Sequence, residues 1–157
     1  MLATITGYGV GLFIHVLAVV LAFGPTFGYA LFFSVAPQFP RATPALMAGV
    51  QKTDRYLVNP GMIVVLLAGI YLLVEGPWQE SEGFITVGFV ATLALLGLQH
   101  GFFRPQTAKA KELAERDLRS GDDLSDEFMA LSQRIGQVGT VAGLIVVLAI
   151  FFMVVKP

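Results

Sequence analysis

Two histidines are the side chains of this 157-residue sequence best suited to metal or proton chemistry, because the chain contains no cysteine. His15 and His100 both lie in long apolar segments, where an ionisable group is costly and is therefore a candidate functional residue. His100 is flanked by Gln99 and Gly101 and lies near the end of its segment. We expect it to be an interfacial or hydrogen-bonded histidine, which makes it the weaker of the two candidate metal ligands.

The residues around His15 favour one kind of cofactor. Small side chains fall on the same helical face as His15 at about 100° per residue. Imidazole is a usual axial ligand of haem iron, and small neighbouring side chains leave room for a flat macrocycle. We therefore predict a site for b-type haem with its iron bound by His15, lined by Gly11, Ala18, Ala22 and Tyr71.

The two histidines are too far apart in depth to share one iron. His100 lies about nine residues deeper along a parallel helix, which is about 13 Å at 1.5 Å per residue. A haem bound by His15 would thus have one histidine ligand or take a second ligand from a partner chain. The alternative for His15 is a neutral imidazole, hydrogen-bonded across the helices to Tyr71 or Thr86, without a cofactor.

Other arrangements for catalysis, transport or nucleic-acid binding are absent from the sequence. There is no glycine-rich phosphate loop, no catalytic carboxylate pair and no Ser/His/Asp arrangement, so we assign no catalytic residue and do not expect an enzyme. No predicted span contains an interior acidic or basic residue, which argues against an ion pathway. The methionines are scattered, which argues against copper transport. A net charge of −1 gives no basis for nucleic-acid binding.

Membrane helices must position these residues. The sequence is 55% hydrophobic and 13% charged, whereas about a quarter of the residues of a soluble domain are charged. Four charge-poor segments are long enough to cross the lipid core, which needs about 20 residues of helix. We predict an all-α integral membrane four-helix bundle forming a single transmembrane domain, with spans over residues 8–35, 59–75, 83–103 and 135–155. Pro25 is expected to kink the first span.

The basic residues predict the orientation of the bundle in the lipid bilayer. Nine of the ten lie in the connections 36–58 and 104–134. By the positive-inside rule, both connections are cytoplasmic and both termini face outward. We expect a multi-pass protein of the bacterial inner membrane.

The first cytoplasmic connection has signals of its own. Thr43-Pro44 and Asn59-Pro60 each place a capping side chain before a proline, a pattern typical of helix starts. Apolar residues at helical spacing lie between them. We therefore predict a short separate helix at the cytoplasmic surface, followed by a new helix at Asn59.

The second connection, residues 104–134, is predicted to be helical. Residues 104–119 are rich in Ala, Lys, Glu and Arg, which predicts that the third helix extends into water and ends at Ser120-Gly121. Ser125 is expected to cap the fourth helix. The predicted stabilising charge pairs are Glu112/Arg116 and Glu115/Arg119.

Several segments together resemble a superfamily of small bacterial membrane proteins: His15–Val20, Tyr56–Met62, Ala68–Leu73 and Gln99–Gly101. The superfamily includes the copper-resistance protein D group, the four-helix protoporphyrinogen oxidases and a family of predicted integral membrane proteins of unknown function, which this chain resembles most. The resemblance covers residues 10–105 and implies the same fold. His15 matches a histidine associated with haem in the oxidases.

The resemblance does not extend to the oxidase chemistry. The third span of that family carries a Trp-x-His-x-Lys pattern, and the matching positions here are Ile85, Val87 and Phe89. We therefore expect a membrane protein whose polar core around His15 binds haem b, without a specified reaction. The alternative is an accessory subunit of a larger membrane complex, or a homo-oligomer, whose glycines and basic helices serve docking and whose histidines serve packing.

Overall fold

The computed structural model describes residues 6–77 and 82–156, which are almost entirely helical. Six α-helices occur in the order α1 (Gly7–Val35), α2 (Thr43–Thr53), α3 (Asn59–Glu75), α4 (Gly83–Leu98), α5 (Arg104–Ser120) and α6 (Asp126–Val155). They form four continuous helical segments, each long and apolar enough to cross a membrane. The all-α architecture with four spanning helices is therefore confirmed.

The membrane bundle is built on close contact between α1 and α3. Helix α6 packs against both α4 and α1, while α3 and α4 touch little. Gly61 lies directly on Ala22, because a Cβ added to Gly61 would come within 2.9 Å of the Ala22 Cβ. Small residues at such a crossing let two backbones approach where lipid provides no hydrophobic drive for association.

A second core lies at the end of the bundle that we predict to be cytoplasmic. There α2 packs on α5, and α5 packs on α6. Met47 of α2 and Phe128 at the start of α6 belong to the same buried cluster. Its fully buried side chains include Met47, Ala110, Ala114 and Phe128. Residues 104–134 thus form a packed helical hairpin, as the sequence predicts.

Charged groups and caps hold this hairpin together. Helix α5 ends at Ser120, and the Ser125 hydroxyl accepts a hydrogen bond from the backbone N–H of Phe128, so both predicted boundaries are confirmed. Burial opposes the ionisation of Asp117, but hydrogen bonds from the Ser125 hydroxyl and backbone N–H, together with Arg116, hold the pKa of this carboxyl below its usual value.

The charge pairs of the hairpin differ from those predicted. Glu115 pairs with Lys111, and Arg116 reaches across to Glu127 on α6 instead of pairing with Glu112. The difference at Arg116 comes from tertiary packing. The acidic first turn of α6 lies beside α5, and a partner on another helix cannot be found from the residue spacing along α5.

Two π-helical turns join neighbouring helices along the chain. Residues Asp54–Val58 and Gln99–Phe103 are π-helical and join α2 to α3 and α4 to α5 without a break. Each wide turn is followed within two residues by a proline, Pro60 or Pro105. Because proline has no N–H to donate, a local change of hydrogen-bond register lets the helix continue past it. The helix predicted to begin at Thr43 is α2, but it is not separate from the membrane span, so the prediction of a new start at Asn59 is wrong. The predicted extension of the third helix to Ser120 is confirmed, and α1 runs through Pro25 without a break.

Candidate functional site

His15 is held in one orientation by α3. Its Nδ1 lies 3.1 Å from the backbone carbonyl oxygen of Val65. Since a carbonyl oxygen only accepts, Nδ1 donates and carries the proton, and in the neutral ring Nε2 keeps its lone pair. Among the described residues, Nε2 has no hydrogen-bond partner. The predicted cross-helix partners, Tyr71 and Thr86, are replaced by this carbonyl.

Gly69 makes the approach of the imidazole to α3 possible. A Cβ at this position would lie 3.4 Å from the His15 Cε1 atom and 3.7 Å from Nδ1. The Nδ1–Cε1 edge of the ring therefore faces α3. The opposite edge, which carries Nε2, is the one left available to the other helices.

An apolar cavity of about 330 Å³ lies beside His15, between α1, α3, α4 and α6. Its lining includes small residues on the facing helices α3 and α4, Gly69, Gly88 and Ala91. Its lining also includes exposed side chains on α1 and α6, among them Val16 and Val154. The cavity therefore opens sideways toward lipid between these two helices.

The small residues predicted to line the site lie on the other flank of α1. Ala18 and Ala22 are buried in the core against α3, and Gly11 lies under the ring of Tyr71, whose Cε1 would be 2.5 Å from an added Cβ. None of these four residues lines the cavity beside His15. These four residues pack α1 against α3, and this packing positions His15.

Helical geometry explains the separation. Viewed down α1, Gly11, Ala18 and Ala22 fall about 20–60° to one side of His15, whereas the cavity residues Val16 and Val19 fall about 40–100° to the other. His15 thus lies at the boundary between the α3 contact and the cavity. The sequence pattern alone places residues on both sides of His15 on one helical face. It does not show which side is covered by α3 and which side borders the cavity.

Met153 is a second potential metal ligand that lines the same cavity. Its methyl group reaches into the space that a Cβ of Gly88 would occupy. Gly88 lies about 7.5 Å from the outer end of α4, and Gly69, beside His15, lies about 9 Å from the outer end of α3, at 1.5 Å per residue. The two side chains therefore reach similar depths from α1 and α6. Sequence analysis missed this pair because Met153 lies near the end of α6.

His100 is not brought to this site. It is exposed on the π-helical turn after α4 and lines neither of the two principal cavities. Gly88 and His100 are 12 residues apart along α4, which is about 18 Å. Within residues 6–77 and 82–156, no cluster of three or more His, Asp or Glu side chains is arranged to hold a metal ion. A metal at His15 would thus depend on very few protein ligands.

A second cavity of about 330 Å³ contains a buried acid that the sequence analysis did not anticipate. Asp54 is only 6% exposed and accepts a hydrogen bond of 2.9 Å from the Tyr29 hydroxyl. The sequence analysis placed Asp54 in the connection 36–58, outside the predicted spans, whereas the structure places it on the helix that continues into α3. Because the helix continues through Pro60, Asp54 falls on the same face as Val58 and Met62, which face the bundle. The four-residue spacing of Asp54, Val58 and Met62 predicts that Asp54 is buried if the helix is assumed to continue through Pro60.

Comparison with known proteins identifies a family. Residues 10–157 match the model of the family described as predicted integral membrane protein (DUF2269). The chain belongs to this family and is a multi-pass integral membrane protein. No curated protein and no solved structure gives a significant match.

Proposed function

We propose that this integral membrane protein binds b-type haem through His15 in the cavity beside α1. The observation that carries the proposal is the hydrogen bond from Nδ1 to the Val65 carbonyl. It fixes the ring and leaves Nε2 as the ligating nitrogen, and metal-bound histidines almost always donate their other ring N–H in this way. The resemblance of His15–Val20 to a haem-associated segment supports the same assignment.

The chemistry of the cavity suits an apolar macrocycle. A volume of about 330 Å³ lies at the lower end of the range for ligand pockets, and the sideways opening lets the rim of a larger ring extend into lipid. Met153 on α6 adds a thioether to the lining of the same cavity. If haem is bound, His15 and Met153 would be the residues that hold it, and haem held by histidine and methionine would supply electron transfer.

The absorption spectrum of protein produced with ample haem tests the proposal. The wild type should show a Soret band, and His15→Ala should lose the haem or change its spectrum. Met153→Leu should keep the haem but change its spectrum if the Met153 thioether also binds the iron. His100→Ala is the matched control and should leave the spectrum unchanged. Absence of a Soret band in the wild type would overturn the proposal.

The alternative function is that of an accessory or self-associating subunit. One observation favours it: Gly97 and Gly101, four residues apart on the chain, are exposed, and a Cβ at either would meet no other atom within 4 Å. Two such glycines can seat a helix of another chain. A haem-free protein that loses self-association in Gly97→Leu would favour this alternative over the haem proposal.

A further inference from the structure

The buried carboxylate of Asp54 lies among neutral groups only. Tyr29 donates to its Oδ1 atom, and the Gln99 side chain lies beside the carboxylate. Gln99 is 5% exposed, so the amide beside the carboxylate is also buried. Both Asp54 and Gln99 line the second cavity, so this cavity contains a buried amide next to a buried acid.

No basic side chain accompanies this acid. No Lys or Arg lines the cavity along the described part of the chain. The neighbouring Arg55 turns its guanidinium over the ring of Tyr56. An uncompensated buried carboxylate is costly, and neutral donors repay only part of that cost. A positively charged ligand would supply the missing compensation.

The walls indicate what kind of cation fits. Five aromatic side chains line the cavity that contains the acid: Phe23, Phe27, Tyr29, Phe33 and Phe103. Aromatic faces attract organic cations and also bury apolar carbon. A metal ion is less suitable, because it requires about six oxygen ligands, whereas most of this lining is hydrocarbon.

Access to the cavity is from the membrane. Its lining includes side chains that are about half exposed on the outside of the bundle, Phe27 on α1 and Val147 on α6. On α6, the cavity is lined by Gly136 and Gly139. A Cβ added at either glycine would meet no other atom within 4 Å, so the space beside them is open. An amphiphile dissolved in lipid can therefore reach Asp54 sideways.

We propose that the second cavity binds an organic cation with an apolar body, whose ammonium group pairs with Asp54 and whose body lies among the aromatic side chains. This site is independent of the haem site. Phe23, Leu95 and Val146 line both cavities and form the layer between them.

Two methionines provide a separate reporter for each cavity. Met62 lines the second cavity, and Met153 lines the cavity beside His15. The experiment titrates 4-phenylbutylammonium into the full-length protein in lipid nanodiscs, with ¹³C-labelled methionine methyl groups followed by NMR. The Met62 signal should shift saturably, while the Met153 signal should not. The uncharged 4-phenylbutan-1-ol, similar in size, should bind at least about tenfold more weakly, as expected for loss of a charge-assisted contact.

Two variants test the assignment to Asp54. Asp54→Asn should weaken binding at least about tenfold, whereas the same change at the exposed Asp123 should not alter it. If Asp54→Asn fails to fold, Gly139→Leu provides the second test, because it fills the cavity and keeps the acid. It should abolish the Met62 shift. Equal binding of the amine and the alcohol, or wild-type binding by the folded variants, would overturn the proposal.

Discussion

Replacing Gly61 with alanine should loosen the contact that positions His15. The new Cβ would lie 2.9 Å from the Ala22 Cβ and 3.1 Å from the Ala22 Cα and N atoms. Carbon atoms in contact prefer about 3.5–4.0 Å, so α1 and α3 must separate by several tenths of an ångström. The clashing atoms include backbone, so a side-chain rotation does not relieve the strain.

The size of the effect follows from two opposing terms. Overpacking costs about 1–3 kcal/mol, and alanine is favoured over glycine in a helix by about 1 kcal/mol. The matched control is Gly139→Ala, whose new Cβ meets no other atom within 4 Å and which gains only the helix preference. Gly61→Ala should therefore be less stable than Gly139→Ala by about 2 kcal/mol, which is about 4–8 °C in melting temperature for a chain of this size.

Two measurements check this prediction. Thermal unfolding followed by circular dichroism gives the difference in stability between the two variants. ¹⁵N NMR of the imidazole gives the state of the His15–Val65 hydrogen bond, which lies one helical turn from Gly61. We expect the hydrogen bond from His15 Nδ1 to the Val65 carbonyl to be weaker in Gly61→Ala and unchanged in Gly139→Ala. If both variants melt at the same temperature with an unchanged imidazole signal, the α1–α3 contact is not as close as described.

Three further predictions concern orientation and the hairpin of residues 104–134. A periplasmic reporter fused to the C-terminus should be active, because nine of ten basic residues lie in the connections assigned to the cytoplasm; activity of a cytoplasmic reporter there would reverse the orientation. Hydrogen exchange should be slower over residues 108–116, which are packed in α5, than over 120–123, and equally fast exchange would contradict a folded hairpin. The lowered pKa of Asp117 means that its ionised form stabilises the fold above the usual carboxyl pKa of about 3.9 and that this contribution is lost as the pH falls below it. Unfolding temperatures from pH 6 to 3 should therefore fall more steeply in the wild type than in Asp117→Asn. Parallel curves would show that the ionised Asp117 carboxylate does not stabilise the fold.

Local chemistry made much of the fold predictable. Four apolar segments long enough to span lipid leave the backbone few alternatives to helix. The boundaries at Ser120 and Ser125 were also predictable, because a stop or a cap depends on residues within one turn. The continuity at Asn59-Pro60 was not, because Asn-Pro fits both a helix start and the first residues after a π-helical turn inside a longer helix.

The sequence by itself determined that His15 lies inside a membrane helix, on a face with small residues. Only the tertiary structure decided that α3 covers the flank with Ala18 and Ala22 and leaves the flank with Val19 beside a cavity. It also decided that Asp54 lies buried beside Tyr29 and Gln99, which come from two other helices. Helical periodicity determines which side chains share a face, but the packing of neighbouring helices determines which part of that face is covered.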